Sequence, residues 1–110
     1  MILKDLLEYL NENLSVDVYA EAPTELTNYV LLDQLGSSES NHITTTRFAI
    51  QSYAPSLYEA GLLNEEVAEV MKGFVQLNRI TRVERETNYS QTSTATKQYR
   101  WQAVYIITHY

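Results

Sequence analysis

The amino-acid sequence predicts an α+β fold, a two-layer sandwich in which two helices pack against a mostly antiparallel, mixed sheet. Three observations carry that prediction. Two stretches repeat apolar residues at helical spacing, several others alternate like strands, and short polar segments of the kind that close hairpins join most of the latter.

The first stretch sets Leu3, Leu6, Leu7, Leu10 and Leu14 on one stripe, with Lys4, Asp5, Glu8, Asn11 and Glu12 between them. This is an amphipathic helix over Leu3–Leu14 whose acidic outer face suits core packing better than a membrane surface. Ser15–Ala20 alternates as a short strand, stopped near Pro23, which has no N–H for a ladder. Tyr29–Leu35 is a second, nearly continuous apolar strand.

Gly36, Ser37, Ser38, Glu39, Ser40 and Asn41 form the strongest loop signal in the chain. The expectation is a poorly ordered hairpin tip, followed by a long strand over His42–Ala54 with Phe48 and Ile50 on one face. Thr44–Arg47 is too polar to be core on both faces, so the hairpin should extend as an arm.

Pro55 ends that strand, and Ser56 with Glu59 has capping-box spacing, opening a helix that runs to Phe74. Ala60, Leu63, Val67, Val70, Met71 and Phe74 make its apolar stripe. Gly61 costs about 1 kcal/mol against alanine, so the helix is expected to be firm only from near Asn64. A second hairpin follows: a polar strand over Ile80–Tyr89, a loop over Ser90–Thr96 and a last strand over Lys97–His109. Apolar side chains on both faces from Val104 onward mark that last strand as central or covered.

Size and composition fit one domain spanning residues 1–110, with 45% hydrophobic and 20% charged residues. Without cysteine there is no disulfide, thiolate nucleophile or cysteine zinc site, which fits a reducing compartment. The start, Met1-Ile2-Leu3-Lys4-Asp5-Leu6, lacks the basic and unbroken apolar regions of a signal peptide, so the protein is expected to stay in the cytoplasm. A net charge of −6 argues against binding nucleic acid through phosphates. Arg79, Arg82 and Arg85 stand near Glu84 and Glu86, where charge pairing along or across strands is the plain reading. Nine tyrosines suit a protein interface, although tyrosine is also common in strands.

Chemistry has little to work with. His42 and His109 have no partner at metal-ligand spacing and read as surface residues. Glu65, Glu66 and Glu69 read as a solvated helix face, and no phosphate-cradling glycine pattern or nucleophile elbow occurs. No enzyme activity, cofactor or metal is expected.

The segments Phe48-Ala49-Ile50-Gln51-Ser52-Tyr53-Ala54-Pro55-Ser56-Leu57-Tyr58-Glu59-Ala60 and Thr96-Lys97-Gln98-Tyr99-Arg100-Trp101-Gln102-Ala103-Val104 carry a resemblance. They resemble the small tail-completion or tail-terminator proteins of long-tailed phages and prophages of Gram-positive bacteria, and the order of elements is similar over nearly the whole chain. The resemblance implies a virion structural protein that forms a ring, typically of six copies, on the end of the tail tube. There it halts tube polymerisation and meets the head connector, after assembly in the host cytoplasm. Its partners would be itself, the tube protein and the connector, with no membrane. The motifs are structural, so the resemblance assigns no residue a role. The sequence itself offers Gly36–Asn41 with Arg47, and Arg79, Arg82 and Arg85 on the second hairpin, as candidate assembly surfaces. Three other readings stay open: another head–tail joining protein, a monomeric protein-binding module of inhibitor or immunity type, and an enzyme with a scattered site.

Overall fold

The computed structural model describes residues 2–21, 28–77, 80–93 and 98–110, with backbone alone for 91–93 and 98. Pro23, Arg79 and the end of the expected Ser90–Thr96 loop lie outside the described residues. The elements are α1 (Ile2–Asn13), β1 (Val18–Tyr19), β2 (Tyr29–Ser40), β3 (Ile43–Ala54), α2 (Leu57–Phe74), β4 (Ile80–Ser93) and β5 (Gln98–His109). The strands form one sheet in the order β1-β2-β3-β5-β4, parallel between β1 and β2 and antiparallel elsewhere. It is the expected α+β sandwich, elongated to 46 Å.

One face of the sheet makes the core. Val30 and Leu32 of β2, Phe48 and Ile50 of β3, and Ala103, Tyr105 and Ile107 of β5 meet Leu63, Val67, Met71 and Phe74 of α2. Alternation explains the choice: these strand residues are two apart and so share a face. Leu6 and Leu10 bring α1 into the same cluster, while Leu3, Leu7 and Leu14 pack at its margin. The central position of β5, between β3 and β4, accounts for its apolar character on both faces.

Local signals set the helix ends. Ser56 is the N-cap of α2, extended at φ −140°, and its hydroxyl accepts the Glu59 N–H at 3.2 Å. Helix α2 is continuous from Leu57, so Gly61 does not delay it. Buried Ala60 and Leu63 hold the first turns against the sheet, and tertiary packing outweighs one weak residue. Asn11 accepts the Val18 N–H at 2.9 Å and donates to the Val18 carbonyl at 3.1 Å, which ties α1 to β1.

The Gly36–Asn41 expectation is corrected. Residues 36–40 extend β2, paired from Gly36 opposite Arg47 to Ser40 opposite Ile43, and only Asn41 and His42 turn. Both turn residues are left-handed, at φ 52° and 67°, the geometry of a tight two-residue hairpin loop. Glycine and serine mark a loop by local preference, but backbone pairing with a long partner strand decides here. A bulge between Gln34 and Gly36 shifts the register and leaves Leu35 half-exposed. Likewise β4 runs to Ser93, four residues beyond the Tyr89 expected as its end.

Candidate assembly edges and a polar cleft

The two hairpins place the ends of the sheet in the open. Only Val30 and Leu31 of β2 are covered by β1, so the outer edge from Leu32 to Ser40 has no neighbour among the described residues. Strand β4 forms the opposite border and, among the described residues, is paired on one side only, to β5. Each free edge presents unpaired N–H and carbonyl groups. Both carry bulges, between Gln34 and Gly36 on β2 and between Arg85 and Thr87 on β4, which twist the edges and discourage unspecific stacking.

The expected surface residues divide by position. Gly36, Ser37, Ser38, Glu39 and Ser40 lie along the free β2 edge, and Asn41 lies at the tip. Arg82 pairs with Glu84 at 3.2 Å, as the charge pattern indicated, whereas Glu86 pairs with Arg47 of β3, outside that pattern, at 2.8 Å. Such exposed pairs contribute little stability. Arg85 is separate: it lines a cleft under α2 and makes no ion pair among the described residues.

The sheet face away from the helices carries a polar lattice. Gln51 Nε2 donates to Gln102 Oε1 at 3.0 Å, and Gln102 Nε2 donates to the Tyr89 hydroxyl at 2.7 Å. The Tyr53 hydroxyl donates to Gln51 at 2.9 Å, the Tyr53 ring stacks on Tyr29 at 4.6 Å, and the Arg100 guanidinium stands 5.8 Å from the Tyr53 ring centre. This is a pre-ordered, uncharged-to-basic surface on an acidic chain. Burial raises the Tyr29 pKa, the neighbouring Tyr53 adds to the rise, and Arg100 opposes it.

In the first turns of α2, Leu57, Tyr58 and Leu62 stand 40, 76 and 48% exposed and border a shallow depression that Trp101 of β5 closes on the other side. Between α2 and β4 runs a cleft of about 490 Å³, floored by Met71, Val83 and Tyr105 and flanked by Glu65 and Arg85. Burial pushes the Tyr105 phenol above its ordinary value of 10.0, and the nearby Arg85 guanidinium partly opposes this. The Tyr105 hydroxyl nonetheless has no hydrogen bond of acceptable geometry.

Two sequence readings change. His109 is buried, with Nε2 3.0 Å from the buried Thr46 hydroxyl, so it is a core polar pair rather than a surface residue. Glu66 leaves the solvated helix face to accept the Ser15 N–H and hydroxyl at 2.7 and 2.8 Å. Among the described residues no group of three or more His, Asp or Glu could hold a metal, and no helix is long and apolar enough to cross a membrane. The cleft itself was not legible in the sequence, since it depends on where β4 sits beside α2.

No protein-family model and no curated protein matches the chain.

Proposed function

We propose that the chain is a structural subunit that assembles with copies of itself, in the manner of a tail terminator that rings the end of a phage tail tube. The supporting observation is the pair of free edges, Leu32–Ser40 and Ile80–Ser93, on opposite borders of one sheet. A ring needs a heterologous contact, in which one patch meets a different patch on the next copy. Two unlike edges facing opposite ways supply both halves of that contact by strand addition. Exposed Leu57, Tyr58 and Leu62 then offer an apolar surface for the tube or the connector protein.

Sedimentation of the purified chain, alone and with tail-tube ends, tests the proposal. A species several times the 12.7 kDa chain mass, or a ring on tube ends, is the expected result. A monomer under both conditions favours the protein-binding module instead.

A further inference from the structure

The two free edges differ in charge. Residues 32–40 of β2 carry Asp33 and Glu39 and no lysine or arginine, whereas β4 carries Arg82 and Arg85 beside Glu84 and Glu86. Arg82 pairs with Glu84, and Glu86 pairs with Arg47. That leaves Arg85 as the β4 charge without an ion-pair partner among the described residues, and Asp33 and Glu39 have none there either. Glu65 shares the cleft with Arg85 but does not come within ion-pair distance of it. Asp33, Glu39 and Arg85 are all exposed.

Like charges directly opposite each other destabilise a strand pair. Two copies joined β2 to β2 would gather the Asp33 and Glu39 carboxylates of both with no base between them. The acidic edge therefore fits β4 better than it fits itself. A contact between unlike edges is heterologous and leads to a ring, not a closed pair.

The sheet fixes direction and limits register. Strand β2 is antiparallel to β3, β3 to β5 and β5 to β4, so β4 runs opposite to β2. Rotation about an axis along the strands preserves these directions, so β2 of one copy meets β4 of the next antiparallel. Residues on the helix side must also stay on that side across the contact. Glu39 is opposite Thr44, on the face of Thr46 and Phe48, and Arg85 is opposite Tyr105, on the same face. Setting Glu39 against Arg85 aligns residues 33–40 with residues 84–91. Each run contains one bulged residue, Leu35 and Glu86, so the faces match from end to end. The other charge match, Asp33 against Arg82, would carry residues 36–40 past the start of β4 and compete with the Arg82–Glu84 pair.

We propose that copies of the chain join through an antiparallel contact in which Glu39 on the β2 edge pairs with Arg85 on the β4 edge of the next copy. This rests on the edge-to-edge assembly proposed above and adds its direction, register and charge pair.

Glu39→Arg and Arg85→Glu test it by sedimentation velocity at low salt. Both positions are exposed, so each variant should melt like the parent. Either variant alone sets like charges across every contact and should need at least about tenfold more protein than the parent to assemble. An equimolar mixture of the two should assemble like the parent, because opposite charges then alternate around the ring. Since the chain has no cysteine, Ser38→Cys combined with Thr87→Cys adds a second readout. Within one copy β3 and β5 separate these positions, too far for a disulfide. In the proposed register they face each other between copies, and oxidation should link chains head to tail. Single variants that assemble like the parent, a mixture no better than its components, or an assembled cysteine variant that does not cross-link overturns this contact and leaves edge assembly standing. A parent that never assembles, alone or on tube ends, overturns both.

Discussion

The Tyr9 hydroxyl of α1 donates to the Val70 carbonyl of α2 at 2.7 Å, passing over Gly73 so closely that a Cβ there would lie 2.5 Å from it. The two helices meet at this point, where the Tyr9 and Phe74 rings also touch at 5.1 Å. Gly73→Ala should therefore destabilise the protein despite the better helix propensity of alanine. Overpacking of this kind costs about 1–3 kcal/mol, against a propensity gain of about 1 kcal/mol. Tyr9→Phe should cost about 1 kcal/mol and relieve most of the penalty when combined with Gly73→Ala. Urea unfolding of the two single variants and the double variant measures both effects. Additive losses would mean that the two residues do not share this contact.

The buried faces make a second prediction. Leu6→Asp and Val67→Asp each place an unpaired carboxylate at a position with no exposure and should abolish cooperative thermal unfolding. Leu7→Asp should be milder, because Leu7 lies at the margin of the core.

These helices were legible in the sequence because their information is local. The leucine and valine stripes repeat at helical spacing, and Ser56 with Glu59 marks the α2 start within four residues. Strand length was less legible. Ser37, Ser38 and Ser40 carry no strand preference of their own, and they are extended only because Thr46, Thr45 and Ile43 face them. His109 likewise becomes a core residue through Thr46, distant in sequence. The close approach of Gly61 to Trp101 was invisible for the same reason: it arises where α2 meets β5.

The Asn41–His42 turn gives a third prediction. His42 holds φ at 67°, a left-handed conformation that disfavours a side chain. His42→Gly creates the Asn-Gly pair preferred in such turns and should stabilise the hairpin by up to about 1 kcal/mol. Chemical denaturation checks it. An unchanged or lowered midpoint would return residues 36–41 to the unpaired loop that their composition indicates.

High pH supplies a fourth. Burial raises the pKa values of Tyr9, Tyr29 and Tyr105 above 10.0. A proton held more tightly in the folded than in the unfolded chain stabilises the fold fully below the unfolded value, and that stability is lost as pH rises through the folded value. Stability should thus be level on this account up to about pH 9 and fall from about pH 10 upward. Tyr105→Phe, which also removes an orphaned hydroxyl, should reduce the alkaline loss.

Assembly through the sheet edges is tested most directly by proline on β2. Successive strand residues turn their N–H groups to opposite edges, so of Ser37→Pro and Ser38→Pro one removes a ladder bond to β3 and the other an outward N–H. The outward variant should keep the parent's circular dichroism and melting temperature. Sedimentation velocity should then show the parent as a ring several times 12.7 kDa and that proline variant as a monomer. A parent that stays monomeric up to millimolar concentration and on tube ends, or a folded outward-proline variant that still forms the ring, would contradict assembly through this edge.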